Sequence, residues 1–306
     1  MTYLITGATG FIGRKLVAAL LTGGHAVNYL GRRRDPALDS RAAFYCWNPG
    51  EKPPLNSVPP HEAVIHLAGE PLAQRWTSDV KRRIRQSRVD ATRDLVSGYG
   101  ELRHRPEVMI SASAIGYYGD RGGEVLTEES RAGNGFLADV CVGWEREARN
   151  AEQFGIRVVP IRIAAVLGRD GGALPRMLKP FRLGLGGKFG SGRQWMSWIH
   201  IDDLVRLIRF ASESNASGPW NGSSPNPVTN AEFTRALAKA LGRPAPWSVP
   251  KFALRIALGE MADFLFDSAR VIPQAATEAG FRFEYPEINM ALRSLIGDAH
   301  ANAGRE

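Results

Sequence analysis

Three glycines near the start of the chain restrict its fold more than any other feature. In Gly7-Ala8-Thr9-Gly10-Phe11-Ile12-Gly13 they join a strand-like run, Tyr3 to Thr6, to a helical pattern, Phe11 to Thr22, with Ile12, Leu16, Ala19 and Leu20 inward. A chain turns this tightly from strand to helix where side chains are missing. The same lack of side chains lets a diphosphate approach the backbone, where free N–H groups and the positive end of the helix dipole meet it. The spacing, Gly-x-x-Gly-x-x-Gly, is looser than the commonest dinucleotide fingerprint, but its position between strand and helix favours a phosphate cradle over a plain turn. Gly7, Thr9, Gly10, Phe11, Ile12 and Gly13 are therefore candidate cofactor contacts.

Short apolar runs continue to alternate with helical patterns. Strands are predicted over Ala26 to Leu30, Ala43 to Trp47, Ala63 to Leu67, Glu107 to Ser111 and Arg157 to Ile161, and a helix over Phe136 to Phe154 that stops at Gly155. This order predicts an α/β fold, a Rossmann-type doubly wound parallel sheet with a smaller C-terminal substrate-side domain. After Gly168 the alternation weakens. Helices are expected over Asp202 to Ala211, Ala231 to Leu241 and around Phe252 to Phe266, and a short strand over Gly280 to Pro286. The expected division is a dinucleotide-binding part, 1–168, completed by parts of 195–230, and a mainly substrate-side or lid part, 169–306, with a distinct segment at 250–296.

The end of the second strand selects the dinucleotide. An acid there would bind the adenosine ribose and repel an added phosphate. The sequence instead reads Gly31-Arg32-Arg33-Arg34, beginning 18 residues beyond Gly13. Guanidinium groups grip a 2′-phosphate, so Arg32 and Arg33 point to NADP(H) rather than NAD. The plain alternative is an exposed basic loop.

The formal charge of +8 raises the question of nucleic acid. The densest basic run, Lys81 to Arg88, has Val80, Ile84, Ala91 and Leu95 at helical spacing, which makes it the outer face of an amphipathic helix. The basic, aromatic stretch Lys188 to Trp198 is read as lining a cofactor or substrate cleft, so nucleic acid is not the expected partner. Two cysteines, Cys46 and Cys141, give neither a disulfide framework nor a zinc spacing, and no metal is assigned. They fit a reducing cytoplasm. The first residues run straight into a strand, so no export signal is expected, and no apolar run reaches membrane-spanning length.

Taken together, the glycine turn, Val64-Ile65-His66-Leu67-Ala68-Gly69, Ile110-Ser111-Ala112-Ser113-Ala114-Ile115-Gly116-Tyr117-Tyr118-Gly119 and Trp198-Ile199-His200-Ile201-Asp202-Asp203-Leu204 resemble the extended short-chain dehydrogenase/reductase superfamily. More narrowly, Leu67-Ala68-Gly69-Glu70-Pro71, Arg75-Trp76, Ser87-Arg88 and the segment Pro250 to Ile296 are similar to the uncharacterised epimerase-family proteins that end in a domain of unknown function. The resemblance covers nearly the whole chain. It implies that Leu67, Ala68, Gly69 and Arg88 also line the cofactor site; for Arg88, contact with substrate or pairing with a carboxylate are the alternatives.

In that superfamily a tyrosine and a lysine four residues later work as a pair, the cation lowering the phenol's pKa. Aligned by Trp144-Glu145, those positions here hold Leu137 and Cys141, and Ala114 takes the usual serine position. Neither member of the pair is carried over. The remaining catalytic candidates at the carboxyl ends of the strands are Ser113 and Tyr117. Tyr118 reads as a packed structural tyrosine, His200 as a structural histidine at a helix start, Glu128-Glu129 as loop charges, and Arg162 as either a ligand-binding residue or the partner of a carboxylate. Two functions fit: an NADP(H)-dependent oxidoreductase or epimerase-like enzyme acting on a small molecule, or a non-catalytic NADP(H)-binding sensor. The residues name no particular substrate and no oligomeric state.

Overall fold

Successive strand residues face opposite sides of a sheet, and in this chain both sides are apolar. The computed structural model describes residues 1–297. Its seven parallel strands are β1 (Thr2–Thr6), β2 (Ala26–Gly31), β3 (Ala43–Cys46), β4 (Ala63–His66), β5 (Val108–Ala114), β6 (Arg157–Ile163) and β7 (Trp220–Gly222). They lie in the order β7-β6-β5-β4-β1-β2-β3. Tyr3, Ile5, Ala63, Ile65, Val108, Ile110, Val159 and Ile161 face one core, shared with helices α1 (Phe11–Thr22) and, further along the chain, Ile201–Glu213. Leu4, Val64, Met109 and Val158 face the other. Each such side chain contributes about 1.5–3 kcal/mol through burial.

The second core is closed by a helix, α2, spanning 78–100, and by α3 (Phe136–Arg149), which runs into a 3₁₀ segment, Asn150–Phe154, ending at Gly155. α2 is not uniform. Two α-helical parts, Ser78–Arg85 and Ala91–Gly100, flank a π-helical turn, Gln86–Asp90. The basic side chains of its first part are outward, where Arg82 and Arg83 pair with Asp79 and Lys81 pairs with Glu260 at 2.7 Å, but Arg88, the last of the basic run, is turned inward and partly buried. Residues after Gly168 add α4 (Leu174–Arg182), α5 (Ile201–Glu213), α6 (Asn230–Leu241) and α7 (Lys251–Leu258). Among the described residues no helix is long and apolar enough to cross a membrane.

Two expected elements differ. The helix around Phe252 to Phe266 is broken at Gly259, whose φ of +62° suits the left-handed turn there, leaving α7 and the short Met261–Phe264. Gly259 bridges to Trp76, tying this region to the approach to α2. The strand over Gly280 to Pro286 is absent. Its alternating aromatics are real: Phe281 and Phe283 pack edge-on at 4.9 Å, and Tyr285 stacks on His200 at 3.9 Å. Its backbone, however, is satisfied by a side chain instead of a neighbouring strand. Asp203, 1% exposed, accepts from the amides of Glu284 at 2.8 Å and Tyr285 at 2.9 Å, and from Arg206 at 3.0 Å.

Asp203 is therefore the clamp between α5 and the C-terminal segment. Asp203→Ala leaves two amides without their acceptor, each costing about 1–3 kcal/mol if it stays buried. The expected result is a fall in unfolding free energy of about 2–4 kcal/mol in urea, with Asp203→Asn losing less. Unchanged denaturation midpoints would show that the clamp contributes nothing.

Candidate cofactor and active site

The glycine turn sits at the carboxyl end of β1 and is pressed against the continuation of β4. Gly7 has φ +73°, and a Cβ there would lie 2.7–2.8 Å from the backbone of Leu67 and Ala68. A Cβ at Gly13 would collide with the Gly7 carbonyl and lie 2.7 Å from the Ala8 Cα. Around Gly10 only the Gly7 carbonyl is near, at 3.2 Å, so its outer side is open. Gly10 caps α1 without any side-chain hydrogen bond, and the first turn carries no acid. The N–H groups that open α1 thus have no claim on them from their own helix. Thr9 and Gly10 are exposed, and Phe11 and Ile12 are half-buried. The Phe11 ring turns away from the cradle into Gly168 and Gly171, where any Cβ would collide with it. Phe11 thus offers the cradle its amide and uses its side chain as an anchor. A cradle that side chains would fill, joined to an uncapped helix start, fits the diphosphate of a dinucleotide.

At the end of β2, Arg32, Arg33 and Arg34 are exposed, and none has an acidic partner among the described residues. Arg14, one residue past the last glycine, is a contributor the sequence reading passed over. Its Nε donates to the Thr9 carbonyl at 2.9 Å and its terminal nitrogen pairs with Asp35. Asp35 follows the arginines, and its carboxylate is occupied by Arg14 and the Ala37 amide. Arg14 therefore ties the glycine turn to the basic loop.

Leu67, Ala68 and Gly69 extend β4 across the turn, held by an ordered chain of hydrogen bonds. The Ala68 amide donates to Thr6 Oγ1 at 3.3 Å; Thr6 Oγ1 lies 2.6 Å from His66 Nδ1; His66 Nε2 lies 2.9 Å from Thr92 Oγ1; and Thr92 donates to the Arg88 carbonyl. Because Thr92 gives its proton to that carbonyl, it accepts from His66, which fixes the Nε2–H tautomer. Burial brings the His66 pKa down to about 4, so the ring is neutral at pH 7. The chain connects β1 and β4 to the π-turn of α2, where Arg88 lies. A Cβ on Gly69 would stand 3.1 Å from the Arg88 guanidinium carbon.

Ser113, Tyr117 and Tyr118 meet a buried ion pair that links α3 to β6. Arg162 and Glu145 are 2% and 4% exposed, and the guanidinium donates to both carboxylate oxygens at 2.9 Å. Burial alone would lower the Arg162 pKa; the carboxylate and Tyr118 outweigh it and raise the value. Ser113 donates to the same carboxylate at 2.7 Å, and Arg162 donates to the Tyr118 hydroxyl at 3.0 Å. Tyr118, 2.7 Å from the Asn221 side-chain oxygen, has its pKa raised by burial to about 12 and is structural, as expected. Tyr117 differs. Its half-buried ring lies over Arg162, 3.5 Å from centroid to guanidinium carbon, and its hydroxyl makes no hydrogen bond among the described residues.

Of the two readings offered for Arg162, partner of a carboxylate is the one observed. Glu128 is not a solvated loop charge: it is half-buried, accepts from the Asn221 amide at 2.9 Å, and burial raises its pKa. His200 caps α5 by accepting from the Asp202 amide at 3.1 Å and lies 3.1 Å from Ser294, a structural placement. Leu137 packs against Gly116, with its Cβ 3.1 Å from where a Cβ on Gly116 would stand, and Cys141 is buried, its pKa raised by burial to about 11. The buried acid at Glu145 was legible in hindsight: an acid on the inward face of a helix and an arginine inside the apolar run Val158 to Ile163 call for each other.

Residues 3–223 match the NAD dependent epimerase/dehydratase family, and residues 249–295 match a domain of unknown function, DUF1731. An Arabidopsis thaliana protein named epimerase family protein SDR39U1 homolog, chloroplastic, is 41% identical over 97% of this chain and 87% of that protein. Epimerase family protein Mb2239 of Mycobacterium bovis is 43% identical over 94% of this chain and 95% of that one. The crystal structure of the human epimerase family protein SDR39U1 (isoform 2) with NADPH superposes with a TM-score of 0.87 at 32% identity, over 97% of this chain and 99% of that chain. The chain belongs to the NAD-dependent epimerase/dehydratase family, within the extended short-chain dehydrogenase/reductases, and carries DUF1731 behind its Rossmann-like sheet.

Proposed function

We propose that this protein is an NADP(H)-dependent oxidoreductase or epimerase-like enzyme acting on a small molecule. The observation that carries the reading is the side-chain-free cradle of Gly7, Gly10 and Gly13 at an uncapped helix start, with arginines at the end of β2 that have no acidic partner among the described residues. The relative solved with NADPH supports it. In this reading the amides opening α1 and the Leu67–Gly69 strip hold the diphosphate, and Arg32 and Arg33 hold the 2′-phosphate, with Arg14 positioning their loop. NADP(H), when bound, supplies hydride exchange. The residues up to 168, completed by β7, form the cofactor side, and the later residues the substrate side. Free thiols at Cys46 and Cys141 fit a reducing cytoplasm.

Tyr117 is the group best suited to move a proton. Arg162 fixes its ring from below, while its hydroxyl stays uncommitted. Ser113 has committed its proton to Glu145 but keeps lone pairs that can accept a hydrogen bond. A second reading, a non-catalytic NADP(H) sensor, is favoured by one observation: Leu137 and Cys141 occupy the positions of the missing tyrosine–lysine pair, and both are packed.

Arg32→Ala and Arg33→Ala are expected to weaken NADPH at least about tenfold while leaving NADH nearly unchanged, as fits the loss of a charge-assisted contact. Fluorescence titration with both nucleotides reads this directly, and equal losses would remove the 2′-phosphate assignment. For catalysis, NADPH oxidation is followed optically across a panel of small carbonyl and sugar substrates. Tyr117→Phe is expected to lower kcat about 10²–10⁴-fold with little change in NADPH affinity. Turnover that survives both Tyr117→Phe and Ser113→Ala would discard these residues, and a panel without any turnover beside tight NADPH binding would favour the sensor.

A further inference from the structure

Among the described residues, Arg88 is a cation without a counter-ion. Its guanidinium is largely enclosed, and no carboxylate lies within ion-pair distance of it among the described residues. Its only hydrogen bonds there are two long ones of 3.4 Å from Nη1, to the Ile84 carbonyl and the Ser87 hydroxyl. Glu70 is near enough to act on it, but that carboxylate is shared by Arg83 at 3.5 Å and Gln74 at 3.1 Å. Burial lowers the Arg88 pKa to about 10, which leaves it charged at pH 7. It lies 5.2 Å from the centroid of Trp144, whose buried indole N–H also lacks an acceptor. An enclosed charge left unpaired is costly unless something completes it.

Three features say where Arg88 reaches. It lies in the middle of the π-turn of α2, a distortion that re-aims a helical side chain. The hydrogen-bond chain through His66 and Thr92 ends on its carbonyl and so fixes that turn relative to β1 and β4. Its guanidinium lies against Gly69, while the same backbone strip touches the glycine turn at Leu67 and Ala68. Arg88 thus stands along the strip from the diphosphate cradle by about two peptide units, roughly 7 Å of chain. A length of that order is the span of one ribose, so a sugar next to the diphosphate would come within reach of the guanidinium. Across from it is Cys141, close enough for the two to act on each other electrostatically, at the helix position where the superfamily's lysine would be.

We propose that Arg88 is the fixed cation at the nicotinamide ribose, supplied from α2 in place of the lysine missing from α3, and that its charge makes the site prefer the reduced dinucleotide over the oxidised one. The inference rests on the NADP(H) reading above. The reduced nicotinamide ring is neutral and the oxidised ring is cationic, so a nearby guanidinium repels only the oxidised form. Like charges about 8 Å apart in a partly screened site give a preference of about three- to thirtyfold.

The test is equilibrium binding of NADPH, NADP⁺ and 2′,5′-ADP, which lacks the nicotinamide nucleoside, to the full chain. The wild type is expected to favour NADPH over NADP⁺. Arg88→Met is expected to abolish that preference, to weaken NADPH about tenfold, and to leave 2′,5′-ADP unchanged; Arg88→Lys, which restores the charge, is expected to recover the preference. An equal loss for NADPH and 2′,5′-ADP, or a preference that Arg88→Met does not alter, overturns the proposal. Arg88→Gln supplies the same test with a long polar side chain retained and only the charge removed. If Arg88→Met does not fold, a preference unchanged in Arg88→Gln overturns the proposal. Failure of the wild type to bind any of the three ligands removes the NADP(H) reading itself, whereas binding of 2′,5′-ADP and NADPH without discrimination against NADP⁺ removes only the role of Arg88.

Discussion

The architecture depends on one close approach of backbone to backbone. Gly7 and Gly13 let the start of α1 press onto the end of β1 and the turn press onto Leu67 and Ala68, at separations no side chain would allow. This contact closes the core between α1 and the sheet. It also brings two different backbones to one point, the turn after β1 and the strip after β4, with the Arg88 side chain of the π-turn lying against that strip at Gly69. A larger residue at Gly13 would force overpacking, typically about 1–3 kcal/mol or more where the opposing atoms are backbone. Stability and ligand binding therefore draw on the same glycines, and a substitution there cannot be read as purely functional without a melting curve beside it.

The second constraint is the pair of charges sealed between α3 and β6. Removing a single partner from such a pair typically costs about 3–5 kcal/mol, because the other charge is left buried and alone. Glu145 and Arg162 do not stand alone: Ser113, Tyr118, Asn221 and Glu128 are joined to them by hydrogen bonds, so the carboxyl ends of β5, β6 and β7 are locked into one polar unit. The consequence for chemistry is asymmetric. Ser113 and Tyr118 are spent on the network, whereas Tyr117 is carried by it, ring on guanidinium, with its hydroxyl left over.

The sheet was legible because its strands are apolar on both faces and its helices amphipathic, patterns set by period alone. The glycine turn was legible because its spacing and position carry a steric meaning. The segment 280–286 was not, since Phe281, Phe283 and Tyr285 alternate like a strand, and nothing local reveals that a distant carboxylate, Asp203, replaces the neighbouring strand. The π-turn was equally hidden: Val80, Ile84, Ala91 and Leu95 have the spacing of one regular helical face, yet Val80 and Ile84 pack with Trp76 and Val140, while Ala91 and Leu95 enter the core under the sheet. Glu128 misled for a different reason, because a carboxylate held by a backbone amide looks in sequence like any loop charge.

The empty positions of the tyrosine–lysine pair do not by themselves decide between enzyme and sensor. What acid–base chemistry requires is a phenol with a free hydroxyl and a cation near the reacting end, not a particular helix to carry them. Leu137 packs on Gly116, directly beside Tyr117, and Cys141 faces Arg88. Each vacated position on α3 thus borders a residue of the vacated kind, supplied by a neighbouring element. The enclosed guanidinium of Arg88 serves a sensor of the reduced dinucleotide as well as an enzyme, because discrimination between the two redox forms needs binding alone. A phenol left without a hydrogen-bond partner among the described residues has a use only where a proton moves, so Tyr117, not Arg88, is the residue on which the two readings part.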